Sequence, residues 1–168
     1  TLMSLMFKAI ADEVEALKKQ GVRFRVLGDM DRLDPALVEA IRTAEEFTMP
    51  DPGKEPVLDL IVFLSYSGKW DILQAAKKLA ADYSADPDGL AAAGPEAIAS
   101  RLVTAGIPDP DLIIRTSGEC RISNYLLWQA AYSEFLFTDT LWPDFRKEEF
   151  RQALEEFSKR DRRYGKVK

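Results

Sequence analysis

Two arginines and two serines lie close together in residues 115–124, and these residue types suit the binding of an anion. The guanidinium groups of Arg115 and Arg121 each offer a planar fork of hydrogen-bond donors that matches a phosphate. Ser123 adds a hydroxyl donor, and Gly118 lets the backbone come close to a ligand. The segment therefore predicts a site for a phosphate or diphosphate group.

The sequence on either side predicts how this segment is held. The apolar residues 112–114 indicate a short buried strand before it. Asn124 is typical of the N-cap of a helix, which would continue through YLLWQAAY and offer free amides to an anion. An ordinary alternative stays open, because loop arginines are often solvated or ion-paired and Glu119 is close enough to pair locally.

A longer stretch, RTSGECRISNYLLWQAAYSEFLFTDTLWPDF, resembles the C-terminal signature of the cis-prenyltransferases, the undecaprenyl diphosphate synthase family. Three fainter matches lie elsewhere in the chain. GVRFRVLGD resembles the family's second strand segment, LSYSGKWDI resembles its Tyr-Gly-Gly-Arg-like turn, and RDRRYG resembles its Arg-x-Gly ending. The resemblance implies an enzyme that condenses isopentenyl diphosphate with an allylic prenyl diphosphate. The expected product is a polyprenyl diphosphate, in particular undecaprenyl diphosphate.

The resemblance also assigns roles to individual residues. Arg115, Arg121 and Ser123 match the family's residues for isopentenyl diphosphate, and Glu134 matches a glutamate associated with Mg²⁺. Arg163 matches the family's C-terminal arginine, which reaches the active site of the partner subunit in a homodimer. Without the resemblance, the basic tail would be interpreted as solvated and disordered.

One part of the family pattern has no counterpart in this chain. Family members carry a strand followed by an Asp-Gly-Asn-Gly-Arg-Trp loop, and no such run occurs here, where the first residue is Thr1. We expect the catalytic aspartate of that loop to lie upstream of Thr1, so that these residues form the C-terminal two-thirds of the domain and half of a two-substrate site. A non-catalytic partner subunit of a heteromeric enzyme is the alternative.

The composition sets further limits. A chain of 168 residues predicts a single domain over residues 1–168. The net charge of −5 argues against nucleic-acid binding. Cys120 is the sole cysteine, which excludes an internal disulfide and fits the reducing cytoplasm; a buried free thiol is its simplest interpretation. No apolar run is long enough to span a membrane, so at most peripheral contact is expected.

Alternating helix and strand patterns predict an α/β fold with a largely parallel central sheet flanked by helices. Asp34 and Asp144 are predicted N-caps, and residues 85–94 a loop. The predicted helices cover residues 2–20, 36–47, 69–83, 95–102 and 146–159, and the predicted strands cover residues 22–27, 57–65, 112–114 and 135–137.

Two interpretations remain open for three of these elements. The first helix and the strand over residues 57–65, predicted to be covered on both faces, either pack in an ordinary core or line the family's hydrophobic tunnel for the growing chain. Asp71, in the first turn of a helix that follows this strand, either faces a ligand or favours the helix N-terminus. The second role is the preferred one for Asp71.

Overall fold

The computed structural model describes the backbone of residues 2–161 and the side chains of residues 5, 8 and 10–161. The chain divides between Tyr66 and Ser67 into two compact units. The first unit contains α1 (Leu2–Lys19), β1 (Val22–Leu27), α2 (Pro35–Thr48) and β2 (Leu58–Phe63). The second unit contains α3 (Gly68–Asp82), α4 (Pro87–Ala92), α5 (Pro95–Ala99), β3 (Leu112–Arg115), β4 (Glu134–Phe137) and α6 (Lys147–Ser158).

Each unit contains one parallel pair of strands, which confirms the predicted α/β class with parallel pairing. β1 pairs with β2 along its whole length. β3 pairs with β4, so that Leu112 lies opposite Glu134 and Arg115 lies opposite Phe137. The sequence predicted one central sheet, whereas the described strands form two separate pairs that no strand hydrogen bonds connect. The single domain stays a prediction.

Local residues set the ends of the elements close to where the sequence predicts them. Gly21 follows α1 with a φ of +72°, a conformation that glycine adopts without strain. The side chain of Asp34 accepts a hydrogen bond from the amide of Ala36 at 2.8 Å and begins α2. Ser67 begins α3 in the same way, accepting from the amide of Trp70 at 3.2 Å.

The core of the first unit forms where β1 meets the two helices that flank it in sequence. Phe24 and Val26 are buried, in the alternating pattern of a half-buried strand. Leu37 and Ile41 of α2 are buried in the same cluster, and Val14 of α1 packs against it. The core-facing interpretation of α1 is therefore confirmed at Val14, and its part in a tunnel stays a prediction.

The prediction that β2 is covered on both faces is wrong for its first half. Leu58 is 57% exposed and Leu60 is also exposed, whereas Val62 and Leu64 pack against the core cluster. A continuous apolar run indicates a strand, but it does not say which of its residues the core reaches.

Three expectations for the second unit need correction. Residues 87–92 form α4 instead of a loop, because the side chain of Asp86 accepts a hydrogen bond from the amide of Gly89 at 2.9 Å and caps a helical turn. α5 ends at Ala99, three residues earlier than predicted. Asp144 does not cap α6: it lies in a 3₁₀ turn over Trp142–Asp144, and α6 begins after Arg146.

None of the described helices combines the length and the apolar composition that a membrane span requires.

Candidate functional site

The predicted anion-binding segment is a loop over residues 116–124, called the arginine loop below, which follows β3. Its first part is fixed to the chain that continues from β4. The amides of Ser117 and Gly118 donate to the carbonyl oxygens of Thr140 and Thr138, both at 2.9 Å. The amide of Thr138 in turn donates to the carbonyl of Arg115 at 3.0 Å. The loop therefore begins in a defined position at the carboxyl end of the β3–β4 pair.

The last residue of the arginine loop is fixed to the N-terminus of α3. The carbonyl oxygen of Asn124 accepts a hydrogen bond from the amide of Gly68 at 2.7 Å. The side-chain oxygen of Asn124 accepts from the amide of Lys69 at 2.9 Å. Asn124 is thus a capping residue, as predicted, but the helix it caps is α3, which lies 55 residues earlier in the chain.

The helix predicted to begin at Asn124 does not form. Ser123, Asn124 and Leu126 have φ values of +46°, +63° and +46°, which lie outside the right-handed helical region. The chain becomes helical again only in a short 3₁₀ turn over Gln129–Tyr132. The free helix amides expected for an anion are therefore absent from the segment that follows the loop.

Two backbone amides at the beginning of the arginine loop, and three at the start of α3, are used within the fold. The amide of Gly118 is bonded to Thr138, and the atom nearest to the place of a Cβ on this glycine is Oδ1 of Asp139, at 3.0 Å. The amide of Trp70, like those of Gly68 and Lys69, already has an acceptor. These amides are therefore already bonded, whereas the side chains of the loop provide charged donors that suit an anion.

The side chains that could bind an anion differ in their surroundings. Arg121 is exposed and ion-paired with Glu119, which is the local pairing that the sequence left open. Arg115 is half-buried at the end of β3, and none of the described residues forms a hydrogen bond or ion pair with its guanidinium. Ser123 is exposed in the same loop as Arg121.

Glu134 lies at the opposite end of the β3–β4 pair from Arg115. Glu134 is level with Leu112, three residues before Arg115 in the register. At about 3.3 Å per residue in a parallel strand, these two backbone positions are about 10 Å apart along the strands. The carboxylate of Glu134 is half-buried and accepts a hydrogen bond from Arg160 at 3.0 Å. The predicted Arg163 lies outside the described residues.

The sequence favoured a dipole role for Asp71, but this carboxylate connects three segments of the second unit. Asp71 is only 1% exposed. Its carboxylate accepts hydrogen bonds from the side chain of Gln74 and the amide of Val103, both at 2.9 Å, and from the side chain of Gln129 at 3.2 Å. Two of these donors are distant in sequence, so no local pattern could reveal them.

Gln129 extends this network. Its Nε2 donates to the carboxylate of Asp71 and to the hydroxyl of Thr104 at 2.8 Å. Because a carboxylate only accepts hydrogen bonds, the amide nitrogen of Gln129 has to face Asp71. Its Oε1 is buried, and none of the described residues forms a hydrogen bond with it. Gln129 therefore holds the segment after the arginine loop against α3 at the cost of one unsatisfied acceptor.

Gly68 makes the contact between α3 and this segment possible. A Cβ at this position would lie 2.7 Å from Cγ and 2.9 Å from the backbone nitrogen of Leu127. We expect Gly68→Ala to destabilise the fold by about 1–3 kcal/mol, because a buried backbone must move to admit the methyl group. Urea unfolding measures this loss.

Gly94→Ala is the matched control for Gly68→Ala. Its Cβ would meet only the mobile carboxylate of Glu96, so a loss below about 1 kcal/mol is expected. Equal losses in the two variants would show that the contact with Leu127 does not constrain residue 68.

The donor set for a metal ion is small. No three Asp, Glu, His or Cys side chains in the described part of the chain converge as a metal site would require. Glu134 supplies one carboxylate, and Mg²⁺ often binds through one or two carboxylates plus the phosphates of a substrate. The residues present therefore fit a Mg²⁺ ion shared with a diphosphate rather than one held by protein alone. Cys120 is exposed, so its interpretation as a buried thiol is wrong.

Two arginines near the carboxyl end of a parallel strand pair form an arrangement that is typical of anion sites in α/β proteins. The chain belongs to the undecaprenyl diphosphate synthase family of prenyltransferases, whose family model matches residues 1–165. The resemblance read from the arginine loop and the residues after it is thereby confirmed.

Individual relatives cover nearly the whole chain. It is 44% identical to an isoprenyl transferase of Nitrosomonas europaea and 46% identical to a ditrans,polycis-undecaprenyl-diphosphate synthase of Pseudomonas aeruginosa, over 99% of its residues in both cases. The chain spans 60% and 64% of the lengths of these two proteins. Among solved structures, the chain is similar to lavandulyl diphosphate synthase from Lavandula x intermedia in complex with dimethylallyl diphosphate, with a TM-score of 0.88 and 32% sequence identity. The match covers 98% of this chain and 70% of that structure.

Proposed function

We propose that this chain carries the isopentenyl diphosphate site of a cis-prenyltransferase. The enzyme would condense isopentenyl diphosphate with an allylic prenyl diphosphate, such as farnesyl diphosphate, and extend it to a polyprenyl diphosphate, in particular undecaprenyl diphosphate. The names of the curated relatives support this activity, and the name of the Pseudomonas aeruginosa relative describes it as specific for (2E,6E)-farnesyl diphosphate. The proposal also includes a homodimer in the cytoplasm, with at most peripheral contact with a membrane.

The observation that carries the proposal is the double anchoring of the arginine loop. Its first residues are bonded to the chain after β4, and Asn124 is bonded to the start of α3. Arg115, Arg121 and Ser123 therefore project from a backbone that is fixed at both ends. In the proposal these three side chains bind the diphosphate of isopentenyl diphosphate and leave its apolar end free to react.

Each of these contacts has a useful magnitude. A hydrogen bond between charged groups contributes about 1.5–3 kcal/mol, so two arginines and a hydroxyl are sufficient to orient a diphosphate. Arg121 must first leave Glu119, which lowers its net contribution. Arg115 has no such competitor among the described residues and would bind at full strength.

In the same proposal Glu134 holds Mg²⁺ and Arg163 completes the site of the partner subunit. The ion would neutralise the diphosphate that departs from the allylic substrate. Glu134 and Arg115 lie at opposite ends of the β3–β4 pair, so the diphosphate-bearing substrates would have to extend between the two positions. The catalytic aspartate and the allylic diphosphate site that the family implies have no counterpart among the described residues.

Apolar cavities in the first unit suit the growing prenyl chain. One, of about 340 Å³, is lined by residues of α1, β1 and β2 that include Val14, Leu17, Phe24 and Leu60. A second, of about 580 Å³, lies between α1 and α2. Burial of each methylene group of a chain in such a cavity is worth about 0.8 kcal/mol.

The test is a direct assay of the whole protein. Incubation with radiolabelled isopentenyl diphosphate, farnesyl diphosphate and MgCl₂ is expected to yield labelled polyprenyl diphosphates, which thin-layer chromatography separates after dephosphorylation. Chelation of the metal with EDTA is expected to abolish the products. Absence of labelled product under all conditions would contradict the proposal, and product that forms only after addition of a second polypeptide would favour the partner-subunit alternative.

A further inference from the structure

Arg160 makes an unusual set of contacts just beyond the end of α6. Its Nη1 donates to Oε2 of Glu134 at 3.0 Å and to the carbonyl oxygen of Phe135 at 2.7 Å. Its Nη2 donates to the carboxylate of Glu156 at 2.8 Å. One guanidinium therefore connects the C-terminal end of α6 to the first two residues of β4.

The carbonyl of Phe135 lies on the open edge of β4. The amide of Glu134 donates to the carbonyl of Asp111, and the amide of Thr138 donates to Arg115, so the even-numbered residues of this strand face β3. Polar groups of successive residues point to opposite edges of a strand, and those of Phe135 consequently point away from β3. Arg160 satisfies a carbonyl that no strand among the described residues reaches.

These contacts hold Glu134 by one oxygen only. Oε2 is bonded to Arg160, and no other side chain or amide in the described part of the chain forms a hydrogen bond with Oε1. A guanidinium fixed by a backbone carbonyl and by Glu156 restricts the rotamer of the Glu134 side chain. The carboxylate is thus fixed at one oxygen and open at the other, as a monodentate metal ligand requires.

We propose that Arg160 is a positioning residue for Glu134: it orients this carboxylate so that its second oxygen would be available to bind the Mg²⁺ ion. The inference rests on the proposed function, which assigns Glu134 to Mg²⁺. Residues that orient metal ligands typically change metal affinity or activity 10- to 100-fold when they are removed. Removal of Arg160 leaves the carboxylate of Glu134 free to rotate and uncovers the carbonyl of Phe135.

Another arginine of α6 provides a matched control. Arg151 is ion-paired with Glu148 and Glu155, and none of its hydrogen bonds or ion pairs in the described part of the chain involves β4. Its side chain is 53% exposed, compared with 26% for that of Arg160. Arg160→Gln and Arg151→Gln remove the same charge from the same helical region, but only the first one affects Glu134.

The experiment measures binding of farnesyl diphosphate, the allylic substrate whose diphosphate the ion would neutralise, to the whole protein by calorimetry, with and without MgCl₂, and thermal unfolding without metal. For Arg160→Gln we expect the enhancement of binding by Mg²⁺ to fall at least tenfold, and for Arg151→Gln less than twofold. Arg160→Lys, which keeps the charge but not the planar fork, is expected to restore only part of the loss.

Three variants separate the two proposals. If Glu134→Gln abolishes the enhancement by Mg²⁺ but Arg160→Gln behaves like Arg151→Gln, the positioning role is wrong and the proposed function stands. If Glu134→Gln leaves the enhancement unchanged, both proposals are wrong at this residue. If Arg160→Gln weakens binding equally with and without Mg²⁺, Arg160 is structural and the positioning role is wrong. The same conclusion follows if the variant lowers only the temperature of thermal unfolding and leaves the enhancement by Mg²⁺ unchanged.

Discussion

Replacement of Arg121 with alanine is expected to raise the KM for isopentenyl diphosphate roughly 10- to 100-fold. The variant loses a charge-assisted contact of about 1.5–3 kcal/mol, and each 1.4 kcal/mol corresponds to a factor of ten. We expect a value below the upper end of this range, because Arg121 would have to give up its ion pair with Glu119 to bind the substrate. The proposed function places the allylic diphosphate in a different site, so the KM for the allylic substrate should change less than twofold.

The structure offers a control that acts in the opposite direction. Glu119→Gln removes the ion-pair partner of Arg121, so the KM for isopentenyl diphosphate should stay unchanged or fall up to a few-fold. Steady-state kinetics with each substrate varied in turn measures both effects. Unchanged KM values for both substrates in Arg121→Ala would remove Arg121 from the site.

Elements governed by local patterns could be predicted from the sequence. β1 was predicted at its observed bounds, because its apolar residues alternate and Gly28 follows it. α2 was predicted within a residue or two at each end, because Asp34 and Pro35 are a recognisable N-terminal signal. Arg115, Arg121 and Ser123 were grouped as one site because they are close in sequence, and the structure places them on β3 and one anchored loop.

Features that depend on distant partners could not be predicted in this way. Asn124 has the sequence character of an N-cap, but it caps α3 because a positive φ turns the chain away from a helix of its own. The position of Glu134 relative to Arg115 depends on the register in which β4 pairs with β3, and no single residue type predicts that register. The family resemblance supplied the role of Glu134, and only the structure showed its bond to Arg160.

Asp71 is the residue for which burial, rather than sequence, predicts the largest effect on stability. Asp71→Ala is expected to lower the free energy of unfolding by about 2–4 kcal/mol, because a hydrogen bond to a charged group contributes about 1.5–3 kcal/mol and a buried donor left without an acceptor costs about 1–3 kcal/mol. The amide of Val103 loses the Asp71 oxygen as its acceptor, and the Nε2 of Gln129 keeps Thr104 as its acceptor. Urea unfolding of the variant and the parent protein measures the difference.

Two further substitutions test whether the buried network causes this loss. Asp82→Ala removes an exposed ion pair with Arg101 from the same helix, and should cost less than about 1 kcal/mol. Asp71→Asn should be milder than Asp71→Ala, because its oxygen can still accept from Val103. Its amide nitrogen can donate to Oε1 of Gln129, the buried acceptor that lacks a partner, if the amide of Gln129 rotates. If Asp71→Ala lowers the free energy of unfolding no more than Asp82→Ala does, the Asp71 carboxylate contributes no more to stability than a surface charge. Packing alone would then hold α3 to the segment after the arginine loop.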